Sequence, residues 1–72
     1  MPKLPVVSGK EAIRAFERLG YQTVRQKGDH VRLKCEARSP LSIPLSDPVK
    51  RGLLRKAIRD SGFTVEEFRD AL

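Results

Sequence analysis

The chain has one cysteine, one histidine, one tyrosine and no tryptophan, and several of its scarcities remove a class of function. With Cys35 alone no intrachain disulfide can form, and a reducing compartment is the expected setting. One histidine and one cysteine do not build a structural zinc site, which takes four ligands, and no carboxylates stand at metal-ligand spacing, so no metal is expected. There is no P-loop and no Gly-x-Gly-x-x-Gly, which leaves no sign of a nucleotide or other small-molecule cofactor. No apolar run approaches the roughly 18 residues of a membrane helix, and Met1 to Ser8 is too short and too rich in proline for a signal peptide. The expectation is a soluble, cytoplasmic protein with no membrane partner.

Acidic side chains are also scarce. Nine Asp and Glu face fifteen Lys and Arg, a net charge of +6. Residues 1–62 carry 14 basic and 6 acidic side chains, whereas residues 63–72 carry 1 and 3. A basic surface of this kind draws a polyanion, most commonly nucleic acid, although a simply solvated face has the same composition. The 72 residues are expected to form a single domain over 1–72, and a chain of this length buries only about 60% of its unfolded surface. Its core is thin, and its chemistry has to take place on the surface.

Ser8 and Glu11 stand as a Ser-x-x-Glu capping box that starts a first helix. Ile13, Phe16 and Leu19 follow at helical spacing, and Gly20 supplies the left-handed residue that ends such helices. From Tyr21 to Cys35 the period becomes two. Thr23 and Arg25 alternate with Val24, and after Gly28-Asp29 the residues His30, Arg32 and Lys34 interleave with Val31, Leu33 and Cys35. The pattern is that of a hairpin with one wet face, and its two-residue Gly-Asp loop suits a type II′ turn.

Glu36 to Pro40 reads as a loop, and Leu41, Ile43 and Leu45 alternate with Ser42 and Pro44 as a third strand. Pro44 has no amide hydrogen, which puts that strand at a sheet edge. Asp47-Pro48 is expected to cap and open a second helix with Leu53, Leu54, Ala57 and Ile58 inward, closed by Gly62. Arg51, Arg55 and Arg59 form a stripe on that helix. Thr64 and Glu67 make a second capping box for a short C-terminal helix carrying Val65, Phe68 and Leu72. The architecture is therefore α+β, a helix, three antiparallel strands, a helix and a short helix, with the two longer helices covering the apolar face of the sheet.

The wet strand face carries the chemistry. His30, Arg32 and Lys34 share it, and Arg25 on the neighbouring strand reaches the same side. An ordinary imidazole gives and takes protons near neutral pH, and guanidinium groups hold phosphate oxygens bidentately. Those groups are what a ribose 2′-hydroxyl needs to attack the adjacent phosphodiester. Cys35 and His30 point to opposite faces and make no nucleophilic pair. Periodicity leaves three readings open: a ribonuclease, a non-catalytic RNA-binding module that uses His30 for contact, and an interaction domain for an acidic protein.

Gly20-Tyr21, the run Val24-Arg25-Gln26-Lys27-Gly28-Asp29-His30, then Arg51-Gly52, Leu54-Arg55, Ile58 through Gly62 and Val65-Glu66-Glu67-Phe68 carry a resemblance in order over nearly the whole chain. The chain resembles the HicA-type toxins of bacterial and archaeal toxin-antitoxin systems. The resemblance implies a double-stranded-RNA-binding-domain-like fold, metal-independent cleavage of messenger RNA, a catalytic histidine at His30 and inhibition by a HicB-type antitoxin. RNA contacts are expected at Arg25, Lys27, Gly28, Arg32, Lys34 and Arg55. Asp29 stands where the family most often has serine, and Leu53 where it tends to have threonine.

Overall fold

A computed structural model describes residues 3–72; Met1 and Pro2, the head of the proline-rich segment, lie outside the described residues. Helix α1 covers Gly9–Arg18 and opens on the expected capping box. The Ser8 amide donates to Glu11 Oε1 at 2.9 Å, and the Glu11 amide donates to Ser8 Oγ at 3.2 Å. The buried side of α1 differs from the expected stripe: Ala12, Ala15 and Phe16 are buried, while Ile13 and Leu19 are only half-buried. Small residues let the helix axis lie close to the layer beneath it. Gly9 carries this furthest, since a Cβ there would run into the Pro44 carbonyl, and its amide donates to the Ser46 carbonyl at 2.7 Å.

Strands β1 (Gln22–Lys27), β2 (His30–Lys34) and β3 (Leu41–Pro44) form one antiparallel sheet in that spatial order. Of the two turn residues only Gly28 has positive φ, at 61°, which is the type II′ signature expected of the Gly-Asp loop. Val31 and Leu33 pair with Ile43 and Leu41, and all four are buried. The alternation expected in β1 breaks. A bulge between Thr23 and Arg25 leaves Val24 unpaired and 51% exposed, so Thr23 and Arg25 fall on opposite faces. Thr23 turns toward α1, where its hydroxyl donates to Glu17 Oε2 at 3.1 Å. The extra residue is what a bulge inserts, and it reverses the alternation beyond it.

Strand β3 pairs only with β2, as its proline requires, but it stops at Pro44. Leu45 lies just past its end, and its amide still donates to the Asp29 carbonyl at 2.6 Å, one step further along the same register. Asp47 does not cap the second helix. Helix α2 is Arg51–Ser61 with Lys50 at its N-cap and no side-chain capping bond. The reason is tertiary: Val49 is buried and its amide donates to the Val7 carbonyl at 2.8 Å, which holds residues 47–50 against the N-terminal segment.

The inward face of α2 is Leu54, Ala57, Ile58 and Ser61; Leu53, expected among them, is 44% exposed. Gly62 ends the helix at φ 81°. Helix α3 (Val65–Asp70) has the expected capping box at Thr64 and Glu67, and Phe68 packs on Phe16 with ring centroids 5.0 Å apart. Leu72 is exposed rather than inward, whereas the neighbouring Ala71 carbonyl accepts from Arg18 Nη1 at 2.7 Å. One core cluster joins Phe16 of α1, Leu54 and Ile58 of α2, Phe68 of α3 and Val31, Leu33, Leu41 and Ile43 of the sheet.

Candidate nucleic-acid interface

The hairpin register places the charged side chains. Lys27 pairs with His30, Arg25 with Arg32 and Gln22 with Lys34, and His30 and Arg32 pair on their other side with Pro44 and Ser42 of β3. Directly opposed residues share a face, with Cβ atoms about 4.5–5.5 Å apart. Arg25, Lys27, His30, Arg32 and Lys34 therefore stand together on the side opposite Val31 and Leu33. Arg25 lies on the turn side of the bulge, so the two-residue turn alone sets it opposite Arg32; the bulge turns Thr23 inward.

Two shallow grooves meet at His30. One, of about 240 Å³, is lined by Arg25, Lys27, His30, Arg32 and Ser42. The other, of about 380 Å³, runs between β3 and α2, where Pro40, Pro44, Leu53 and Ala57 supply the apolar wall. Lys56 and Asp60 add one charge of each sign to it, and His30 and Ser42 belong to both grooves.

His30 is 60% exposed along its side chain, and its Nδ1 lies 3.1 Å from Asp29 Oδ1. The Asp29 backbone is held by the bond from the Leu45 amide. Among the described residues none of the face cations, Arg25, Lys27, Arg32 or Lys34, makes an ion pair. Four uncompensated cations around an exposed imidazole suit a phosphate with its surrounding backbone. Among the described residues no group of three or more His, Cys, Asp or Glu stands close enough to hold a metal. No helix of the described residues is long and apolar enough to cross a membrane.

Over residues 9–63 the chain matches the family model of the HicA toxin of bacterial toxin-antitoxin systems. The chain belongs to this family. No curated protein matches it significantly. Membership makes it a toxin of the toxin-antitoxin kind, with an antitoxin as the corresponding kind of partner. The matched span holds α1, the whole sheet and α2, and so both grooves; α3 lies beyond it.

Within this HicA-family fold the expected site residues separate into groups. Arg25, Lys27, His30 and Arg32 line one groove. Gly28 sits in the turn below them, and Lys34 lies two residues further along β2 on the same face. Arg55 is exposed on α2 but lines neither groove. The α2 residues that do reach the groove are Leu53, Lys56, Ala57 and Asp60. Their spacing of three, one and three is itself a helical stripe, about 150° round from the arginine stripe, and it is the signal that points to them.

Proposed function

We propose that this HicA-family toxin is a metal-independent endoribonuclease that cleaves messenger RNA and is held inactive by a HicB-type antitoxin. The observation that carries the reading is His30, exposed on a strand face directly opposite Lys27 and beside Arg25 and Arg32. With Nδ1–H donating to Asp29, the lone pair of His30 lies on Nε2, free to take the proton of a ribose 2′-hydroxyl. The 2′-oxygen then attacks the adjacent phosphorus, the bond from phosphorus to the 5′-oxygen breaks, and the leaving oxygen takes a proton from Lys27 or water. The products are a 2′,3′-cyclic phosphate and a 5′-hydroxyl. Arg25, Arg32 and Lys34 hold the charge that develops on the phosphate oxygens, the Gly28 turn leaves the backbone open to the strand, and Arg55 extends the track along α2. In-line attack needs a flexible strand, so the substrate is single-stranded or locally unpaired. A messenger-RNA substrate places the protein in the cytoplasm. The antitoxin's simplest action is to cover His30 and screen these cations.

One observation favours a second reading, a non-catalytic RNA-binding module. Asp29 puts a carboxylate that is 78% exposed next to the imidazole, where it opposes an incoming phosphate. Incubating the purified protein with RNA in excess chelator and analysing the ends decides between them. Cleavage leaving cyclic phosphate and 5′-hydroxyl is expected for the wild type. His30→Ala and His30→Gln are expected to lose about 10² to 10⁴ in rate while binding persists and stability changes by within about 0.5 kcal/mol. Binding without any cleavage by the wild type establishes the module reading instead.

A further inference from the structure

The groove between β3 and α2 is not used by the chemistry above, although it shares His30 and Ser42 with the cationic groove. A nucleotide whose phosphate lies among Arg25, Lys27 and Arg32 has its base within reach of that second groove. Its volume of about 380 Å³ falls in the range of roughly 300–1,000 Å³ typical of small-ligand sites. Pro40, Pro44, Leu53 and Ala57 give it an apolar wall against which the flat face of a base can pack.

Its two charges are the informative part. Among the described residues Asp60 is the one carboxylate lining either groove, and on a face that must accept phosphate a carboxylate is a liability unless it meets a hydrogen-bond donor. Lys56 and Asp60 are four apart on α2, and among the described residues neither is ion-paired. Together they present a donor followed by two acceptor oxygens. Of the four RNA bases only guanine offers the complement along one edge, an acceptor at O6 and adjacent donors at N1–H and N2–H. Adenine and cytosine offer one donor beside an acceptor, and uracil one donor between two acceptors.

We infer that this groove is a nucleobase subsite selective for guanine, in which Lys56 donates to O6 and the Asp60 carboxylate accepts from N1–H and N2–H. The inference rests on the RNA-directed reading of the neighbouring face. It makes Leu53, Lys56 and Asp60 specificity residues and leaves His30 as the group at the reacting atoms.

The test measures wild-type binding to 2′-fluoro pentamers, which lack the nucleophile and stay intact, with guanine, inosine, adenine or cytosine at the centre of a uridine run. Guanine is expected to bind about ten-fold or more tighter than adenine, since a good bidentate base contact discriminates by roughly 1–3 kcal/mol. Inosine, which lacks the N2 amino group, falls between them. Asp60→Asn replaces two acceptors by one acceptor and one donor, so the preference moves toward adenine or cytosine; circular dichroism of this exposed-site variant checks its fold. Equal binding of all four pentamers, or an unchanged order in Asp60→Asn, overturns the subsite alone. Binding in the expected order with no cleavage of the all-ribose pentamers overturns the ribonuclease reading and leaves the subsite standing. No binding of any pentamer overturns the RNA-directed reading and the subsite with it.

Discussion

Asp29 and His30, the last residue of the hairpin turn and the first of β2, are joined side chain to side chain, with Oδ1 3.1 Å from Nδ1. Asp29 is fixed from behind by the bond between its carbonyl and the Leu45 amide at 2.6 Å, so its side chain starts from a defined position. The pair can act in two directions at once. The carboxylate orients the ring and selects the nitrogen that carries the proton, and it also repels phosphate.

Replacing Asp29 therefore separates kcat from KM. Both partners are well exposed, and exposed pairs contribute about 0–1 kcal/mol, so Asp29→Ala should lower kcat by no more than about five-fold. The lost negative charge should lower KM in the same variant. Steady-state kinetics on a short RNA measures both, and a rise in KM would show that Asp29 helps to hold the substrate.

The phosphate track is measurable through salt. Lys27→Ala and Arg32→Ala should each reduce the slope of log affinity against log salt concentration by roughly 0.7 on single-stranded RNA, with little dependence on sequence. Arg55 lines neither groove, and the same titration of Arg55→Ala determines how far the track runs along α2. An unchanged slope there confines the track to the sheet.

Gly9→Ala is expected to destabilise the fold against the trend of helix propensity. Alanine is favoured over glycine inside helices by about 1 kcal/mol, yet a Cβ at this position meets the Pro44 carbonyl and Leu45 Cα, backbone atoms that cannot step aside singly. Overpacking of this kind costs typically about 1–3 kcal/mol. A lower denaturant midpoint is the expected result, and a higher one would mean that α1 and β3 do not approach so closely.

The capping box makes a statement about pH. Glu11 is held below the ordinary carboxylate range, first by the Ser8 backbone amide and then by the Ser8 hydroxyl. A carboxyl whose folded-state pKa is depressed adds stability above its unfolded pKa, and that contribution fades as pH falls through the folded value. The loss thus lies on the acid side, from the ordinary carboxylate range downward. Glu11→Gln keeps an acceptor for the Ser8 amide but cannot titrate, so its stability should fall less than the wild type's across that window in acid denaturation followed by circular dichroism.

Much of the fold was legible because local rules decide it. Ser8 with Glu11 and Thr64 with Glu67 satisfy orphan amides within one turn of helix, and Gly28 is needed at a positive φ whatever surrounds it. Hairpin alternation in β2 exposed His30, Arg32 and Lys34 in a way that any register pinned at Gly28-Asp29 preserves. Where local rules fail, a distant partner intervenes. Val49 bonds to Val7, and α2 starts at Arg51 instead of at Asp47-Pro48.

Short stretches of the chain settle the order of elements, the hairpin that exposes the histidine and the excess of cations around it, because capping, turn chemistry and period act over a few residues. Packing settled three other things: that a bulge at Val24 turns Thr23 toward α1, that Leu53 stays outside the core, and that Lys56 and Asp60 rather than the arginine stripe of α2 border the groove beside β3. Each depends on where an element lies against another. That placement comes from packing Phe16, Leu54, Ile58 and Phe68 with the sheet into one core, and apolar packing is non-directional, so no short stretch of sequence encodes it alone.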